Sequence, residues 1–370
     1  MRRELPLFAT LLLCLAILLA AAVPSVAWRF LPPRPLGVAI LDKTVPDTSY
    51  RGHRAVVWVL NHLKFVHPAS LAPYDAASDY AGFVPLTGRA WSVRPLPPDI
   101  GSDRIIYLAD TYGVTSTDLG EGGSGRAGRL LYGGLTSDEL DVLTNAARSG
   151  ATLIGEFNTA AEPTVDSIRL RAEALFGFHW TGWTGRRSSA LDGDVPPWAV
   201  TAWEQQAGRP WHHRGPGFVL AHRDGRVLVL AAADLRDDGL DIIPTAAGDS
   251  LGMRSAAAPD GWFDLVEPAG GTEVARYLWR LTPRGDSLLS AAGVPKVATA
   301  VISFKAGASR TYYLAGDFAN TAVVPTWTGL RWAPEFYRRL PRWWLPARES
   351  FFWRGYVPLL TSILEWASGG

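Results

Sequence analysis

The sequence contains a single cysteine, Cys14, in a chain of 370 residues. It lies within an apolar N-terminal run, so the rest of the chain has no disulfide, no thiol nucleophile and no cysteine ligand for a metal. Lysine is also scarce and occurs only at positions 43, 64, 296 and 305. The formal net charge is +1, and no clustered basic face is present to bind phosphates. Catalysis must therefore come from side chains other than thiols, and nucleic acid is not an expected partner.

An apolar run follows the basic residues at 2–3 and extends over residues 5–23. Its length is close to the roughly 20 residues that span a bilayer, and the charge order places the N-terminus inside and the remainder outside. A small-x-small cleavage site at 25–27 leaves both a cleaved signal peptide and an uncleaved signal anchor open for residues 1–27. Residues 28–36 form a Pro-rich spacer. We expect a single-pass protein of the bacterial cell membrane with its domain outside the cytoplasm, or a secreted or periplasmic protein if the signal is cleaved.

The stretch 132–159 carries the clearest local pattern in the chain. A Gly-Gly turn precedes Thr136, whose side chain is typical of a helix N-cap, and apolar residues then recur at helical spacing up to a Ser-Gly stop. Residues 151–154 form a buried strand that ends at Glu156 and Asn158. In open α/β sheets, ligands bind at the carboxyl ends of strands. This strand end is therefore an expected site of chemistry.

Other apolar segments predict further strands of the same sheet. Three of them end at a charged residue: 37–41 before Lys43, 104–109 before Asp110 and 310–315 before Asp317. Residues 218–222 and 226–231 flank an Asp-Gly turn and predict a β-hairpin. The pattern predicts an α/β protein that contains a β-rich insertion.

The order of these elements resembles the class I glutamine amidotransferase-like superfamily. The resemblance is carried by LADTYG at 108–113, the run from YGGLTS to IGEF at 132–157, EALFGF at 173–178 and YYLAGDFAN at 312–320. It is most like branches without amidotransferase activity, such as the β-galactosidase trimerisation domain and ThuA-like proteins. The resemblance implies a flavodoxin-like, open and mostly parallel sheet with helices on both faces. These motifs cover roughly half of the chain beyond the N-terminal segment. The domain is expected at residues 37–370, with an insertion at about 183–295 for which the resemblance offers no counterpart.

Two departures from the superfamily bear on activity. Amidotransferases expose a cysteine nucleophile in a Gly-x-Cys-x-Gly elbow, and Phe157 stands where that thiol belongs. The partner His-x-Glu motif is replaced by Gly316-Asp317-Phe318. The resemblance therefore does not extend to glutamine hydrolysis.

Three acids, Asp110, Glu156 and Asp317, are predicted at the carboxyl ends of core strands and would converge in one cleft. Paired carboxylates in a partly dry pocket acquire separate pKa values, as acid–base cleavage of glycosidic bonds requires. The alternative is that these acids cap neighbouring helices or turns. Convergence in an open cleft would favour an enzyme, whereas burial in caps would favour a binding protein.

Residues near these acids supply the candidate ligand contacts: Lys43, Tyr112, Asn158, Trp183 and Arg186. Lys43 and Arg186 would neutralise the acids or hold an anionic group, and surface solvation is the alternative for Arg186. Trp183 and the glycines around it indicate an aromatic platform for sugar rings, with core packing as the alternative. Histidine and aspartate spacings predict no metal site, and no cofactor is expected.

Two hypotheses follow from the sequence. The first is a membrane-tethered, extracytoplasmic binding protein that has lost the catalytic triad and recognises a cell-envelope carbohydrate or an envelope protein. The second is a hydrolase acting on envelope polysaccharide, with Glu156 and Asp110 as the acid and base.

Overall fold

The computed structural model describes residues 4–98, 100, 104–120, 128–320, 324–325 and 327–369. Its strands, numbered in chain order, are β1 Arg34–Pro35, β2 Val38–Asp42, β3 Phe65–Val66, β4 Ala81–Pro85, β5 Trp91–Arg94, β6 Ile105–Asp110, β7 Val114–Thr115, β8 Leu130–Tyr132, β9 Thr152–Gly155, β10 Phe178–Ser188, β11 Gly217–His222, β12 Val227–Ala231, β13 Leu235–Pro244, β14 Ala256–Ala257, β15 Gly261–Pro268, β16 Thr272–Leu281, β17 Val297–Ala306 and β18 Ser309–Leu314. Its helices are α1 Glu4–Arg29, α2 Arg54–His62, α3 Ser137–Arg148, α4 Asp166–Phe176, α5 Pro197–Ala207, α6 Ala246–Ser250, α7 Pro283–Ala292, α8 Ala333–Arg339, α9 Ala347–Phe351 and α10 Val357–Ser368. A π-helical turn, Phe352–Tyr356, joins the last two helices.

Five neighbouring strands of the main sheet are parallel and lie in the order β4, β2, β6, β9, β18. Numbered among themselves along the chain, they follow the order 2-1-3-4-5 of doubly wound sheets such as flavodoxin. All six residues of β6 are buried, as expected for a parallel strand that is covered on both faces. The predicted mixed α/β architecture is confirmed. The point where the strand order reverses lies between β2 and β6.

Helices cover the parallel strands in two pairs. Helix α2 packs with α10, and α3 packs with α4. Helix α3 begins with the predicted N-cap: Thr136 accepts a hydrogen bond from the Glu139 backbone, and Glu139 bonds back to the Thr136 backbone. This reciprocal arrangement satisfies two helix N–H groups that would otherwise have no partner. It fixes the start of α3 beside the ends of β2 and β6.

Antiparallel strands extend the sheet beyond β18. The order continues β17, β15, β10, β11, β12, while β16 pairs with β17 and with β13. The predicted hairpin is formed by β11 and β12, and β17 pairs with β18 in the same antiparallel manner. Strands within the predicted insertion therefore belong to the same sheet as the parallel strands.

The N-terminal and C-terminal segments meet on the α2 side of the sheet. The Trp28 indole, near the end of α1, donates a hydrogen bond to the His62 carbonyl at 2.8 Å. Trp58 of α2 packs edge-on against Trp353 of the π-helical turn. In the part of the chain that the structure describes, no helix has the length and apolarity needed to cross a membrane. The predicted signal anchor stays a prediction.

Candidate functional site

A cavity of about 720 Å³ opens at the carboxyl ends of the parallel strands. The loops that follow β2, β9 and β18 contribute Thr44, Asn158 and Asp317, respectively, and Asp110 is the last residue of β6. The antiparallel strands β10, β11 and β15 close the other side with Arg186, His222 and Trp262. The cavity therefore includes the reversal between β2 and β6, where sheets of this order bind their ligands.

Asp110, the last residue of β6, lines this cavity and is 9% exposed. The backbone N–H of Tyr112 donates a hydrogen bond to its Oδ1 at 2.6 Å. Burial raises the pKa of Asp110 well above its usual range, and the nearby charge of Asp317 raises it further. The two carboxylates are thus coupled within one cavity, and Asp110 favours the protonated form.

Asp317 lines the same cavity in the loop after β18. Burial raises its pKa to about 6, against the lowering effects of a hydrogen bond from Asn320 and the charge of Arg348. The Asn320 side-chain amide donates to Asp317 Oδ2 at 2.7 Å. Among the described residues, the buried Asn320 Oδ1 has no hydrogen-bond partner, although other atoms of Asn320 line the cavity.

Glu156 does not line the cavity and is fully buried. The Tyr107 hydroxyl donates to its Oε1 at 2.6 Å, and the Ala319 backbone N–H donates to its Oε2 at 3.1 Å. Burial raises the pKa of Glu156 well above its usual range. The predicted convergence of three acids is thus met by Asp110 and Asp317 only, because Glu156 is enclosed by its partners behind the strand ends.

Aromatic rings form one wall of the cavity. Trp262 lies nearly parallel to Phe157 and to Trp198, with ring centroids 6.4 and 6.3 Å away. The Arg186 guanidinium lies over the Trp262 ring at 5.4 Å. Phe157 occupies the place that the superfamily resemblance gives to a thiol, and here it is part of an aromatic surface. Flat rings of this kind present an apolar face to a ligand.

Three of the predicted ligand contacts lie on the cavity: Tyr112, Asn158 and Arg186. Tyr112 is 43% exposed. Asn158 has a left-handed backbone with φ of 67°, and its side-chain amide donates to the Glu162 carbonyl at 3.0 Å. Arg186 is not solvated as the alternative proposed, because it forms an ion pair with Asp194.

The other two predicted contacts, Lys43 and Trp183, lie away from the cavity lining. Lys43 is fully buried, and its Nζ donates to the Gly134 carbonyl and to Glu139, each at 2.7 Å. It therefore holds the start of α3 against the end of β2. Trp183 is 3% exposed and packs against Arg226, so it belongs to the core and forms no exposed platform.

A second buried acid, Asp264 of β15, supports the cavity from behind. The Tyr313 and Thr184 hydroxyls each donate to it at 2.8 Å. Burial raises its pKa to about 6, while these bonds and one from the Asn158 backbone lower it. Asp264 thereby ties the left-handed Asn158 to the antiparallel strands.

Sequence reasoning missed several lining residues, most notably Trp198, Trp262, Asp118 and Glu162. The alternation of β15 and the Trp-rich segment around α5 were visible in the sequence, but their approach to the parallel strand ends was not. Within the described ranges, no group of three or more His, Cys, Asp or Glu side chains is arranged to hold a metal ion.

No protein-family model matches the chain, and no curated protein matches it either. Similar solved structures include a β-galactosidase from Bacillus circulans sp. alkalophilus, with 9% identity and a TM-score of 0.34 over 77% of this chain and 30% of that chain. An exo-β-1,4-mannosidase from Opitutaceae bacterium strain TAV5 has 9% identity and a TM-score of 0.28, over 77% of this chain and 32% of that chain. A carbohydrate deacetylase has 9% identity and a TM-score of 0.36, over 89% and 33%. The chain spans about a third of the length of these proteins, and at such TM-scores the similarity assigns no function.

Proposed function

We propose that the cavity binds a carbohydrate and that Asp110 and Asp317 cleave a glycosidic bond within it. The observation that carries the proposal is the placement of these two carboxyl groups in one cavity that is walled by Phe157, Trp198 and Trp262. Glycosidases use a pair of carboxyl groups in this way, one as the acid and the other as the base or nucleophile. This assignment replaces the predicted pairing of Asp110 with Glu156.

The environments of the two acids support different roles. Asp110 is nine-tenths buried, and its pKa is raised by burial and by the charge of Asp317, which favours the role of the acid that donates a proton to a leaving oxygen. Asp317 has a pKa of about 6 and is mostly ionised at neutral pH, as a base or nucleophile requires. The aromatic wall would stack against the apolar face of a sugar ring.

The site of action in this proposal is the cell envelope. Support comes from the N-terminal sequence, where basic residues at 2–3 precede the apolar run 5–23. The parallel strand order 2-1-3-4-5 is what the resemblance to the amidotransferase-like superfamily implies, and we propose that relationship for the parallel strands. Fractionation of cells into cytoplasm, membrane and exported protein would test the location.

The activity is tested by incubating the purified protein with a panel of envelope polysaccharides and measuring the release of reducing ends. We expect turnover with a bell-shaped pH profile, falling below about pH 6 as Asp317 gains a proton and falling at high pH as Asp110 loses one. Tryptophan fluorescence measures binding separately from turnover. Binding without release of reducing ends would support the alternative, a carbohydrate-binding protein, and absence of both would contradict the proposal.

A further inference from the structure

We infer that the cavity selects a sugar that carries a free, cationic amino group over a neutral or acidic sugar. This inference rests on the proposed carbohydrate-binding function and specifies its ligand class. It is drawn from the charged side chains around the cavity. The basic side chains have acidic partners, whereas the lining acids have no basic partner among the described residues.

Four carboxyl groups line the cavity: Asp110, Asp118, Glu162 and Asp317. Within the described ranges, none of the four has a basic nitrogen within 4 Å of it. Their hydrogen bonds come from uncharged donors, such as the Thr115 backbone N–H and hydroxyl, which both donate to Asp118 at 2.7 Å. Arg348 and Arg51 act on Asp317 only through their longer-range charge. These acids therefore retain capacity for a cation supplied by a ligand.

The basic side chains of the cavity wall are already paired with acids that lie outside the lining. Arg223 donates to both carboxylate oxygens of Asp166, at 2.9 and 3.0 Å. Arg186 pairs with Asp194, and His222 Nδ1 lies 2.8 Å from Asp224. Since the two guanidinium groups are neutralised locally and His222 is already bonded to Asp224, the excess charge that faces a ligand is negative.

Three of the acids, Asp110, Asp118 and Glu162, line the cavity together with Tyr112. The Tyr112 backbone N–H donates to Asp110, and the charges of the three acids add to the effect of burial in raising the pKa of the Tyr112 phenol. Tyr112 is itself exposed to the cavity. An ammonium group beside Tyr112 would meet carboxylates and the face of an aromatic ring, both of which attract cations. A uronic acid at the same point would meet like charges and be rejected.

The test compares three tetrasaccharides of equal length: β-1,4-linked glucosamine, its N-acetylated counterpart and galacturonate. Titration is followed by calorimetry and tryptophan fluorescence. We expect the glucosamine tetramer to bind roughly tenfold or more tightly than the N-acetylated one, as charge-assisted hydrogen bonds allow, and the galacturonate tetramer to bind most weakly. Added salt should reduce the preference because it screens exposed charges.

Two substitutions test whether Asp118 and Glu162 produce the preference for the amino sugar. Asp118→Asn and Glu162→Gln should each reduce the preference for the amine by roughly two- to fivefold, as expected for partly exposed ion pairs. The matched control is Glu267→Gln, since Glu267 is exposed on β15 but does not line the cavity. Thermal unfolding of each variant confirms that the fold is intact.

The outcomes separate this inference from the proposed function. Equal or tighter binding of the N-acetylated or galacturonate tetramer overturns the selectivity and leaves carbohydrate binding in place. A preference that survives both substitutions also overturns the assigned position. Failure of all three tetramers, and of a neutral glucose tetramer, to bind would overturn carbohydrate binding itself.

Discussion

Glu156 and Asp317 follow two adjacent parallel strands, β9 and β18, yet they face different regions of the molecule. Glu156 is enclosed and accepts bonds from the Tyr107 hydroxyl and the Ala319 backbone. Asp317 lies at the cavity and accepts a side-chain bond from Asn320. Burial raises the pKa of both acids, so a perturbed pKa does not distinguish them. What differs is that Glu156 has protein partners on both oxygens, whereas Asp317 has one side-chain partner and lines the cavity.

The hydrogen bonds around Glu156 connect separate elements of the fold, which the side-chain bond between Asn320 and Asp317 at the cavity does not. Tyr107 of β6 also lies within 2.9 Å of the Tyr356 hydroxyl in the π-helical turn, so Glu156 joins the central strands to the C-terminal helices. On the same edge, His53 Nδ1 lies 2.7 Å from the buried carboxylate of Asp42. Buried polar groups of this kind stabilise a fold when every member is satisfied. We therefore expect substitutions behind the strand ends to change stability, and substitutions in the cavity to change activity.

The largest expected effect is on activity, from Asp317→Asn. The variant keeps an acceptor for Asn320 but loses the carboxylate that would act as base or nucleophile. Turnover of the carbohydrate should fall by about 10²- to 10⁴-fold, the usual contribution of such a group. Initial rates of reducing-end release measure this, with Glu267→Gln as the exposed control. Full activity in Asp317→Asn would remove Asp317 from the mechanism.

The second effect is on stability, from Glu156→Ala. It leaves the Tyr107 hydroxyl and the Ala319 N–H without their acceptor at a fully buried position. At about 1–3 kcal/mol for each unsatisfied group, the free energy of unfolding should fall by roughly 3 kcal/mol. Urea unfolding at neutral pH measures the loss.

Glu156→Gln is the control for this substitution. Its amide oxygen can accept from the Ala319 N–H, and its NH₂ can donate to the Tyr107 hydroxyl if that hydroxyl donates to Tyr356 instead. The loss of stability should therefore be clearly smaller than for Glu156→Ala, at about 1 kcal/mol. Activity per folded molecule should be unchanged. If Glu156→Gln were stable but inactive, Glu156 would return to the catalytic role that the sequence first indicated.

The contrast between Glu156 and Asp317 also separates the features that the sequence alone predicts from those that it does not. The capped helix α3, the buried strands and the β11–β12 hairpin were predictable, because each is encoded by local spacing and turn residues. That acids would stand at the ends of β6, β9 and β18 was equally visible. Which of them would be enclosed was not, since the partners of Glu156 are 49 and 163 residues away along the chain.

The antiparallel wall of the cavity was hidden for the same reason. β10 contains the triplet Trp-Thr-Gly twice, a pattern that does not predict a strand. Gly185 is needed there because a side chain would collide with the Phe263 ring, 2.3 Å from where its Cβ would lie. The register that places Arg186 opposite Trp262 joins segments about 76 residues apart, and no local pattern encodes it.

The third expected effect is a gain in stability from Asp317→Asn, opposite in sign to the loss expected for Glu156→Ala. The pKa of Asp317 is raised from 3.8 to about 6 in the folded protein, so between these values the unfolded chain loses its proton first. Folding stability contributed by this group therefore falls as the pH rises from about 4 to about 6. Because Asn carries no charge, Asp317→Asn should be more stable than the parent protein at pH 7 by about 1–2 kcal/mol, and nearly equal to it below pH 4.

Urea unfolding at pH 7 and pH 3.5 checks this difference. The same substitution would then lower activity and raise stability, which is the pattern expected when a charge is held in place for a ligand. A loss of stability at pH 7 would instead assign Asp317 to the structural group with Glu156.

The smallest expected effect concerns the aromatic wall. Trp262 lies between Phe157 and Trp198 in near-parallel orientation, so it is the ring through which this surface is continuous. Trp262→Ala should weaken carbohydrate binding by about two- to twelvefold, which corresponds to the roughly 0.5–1.5 kcal/mol of one aromatic contact. Trp262→Phe should retain most of the affinity, and Trp343→Ala, at an exposed position outside the cavity lining, should retain all of it. If Trp262→Ala bound its sugar unchanged while Asp317→Asn lost activity, the acids alone would hold the substrate, and the aromatic wall would belong with Glu156 to the framework of the fold.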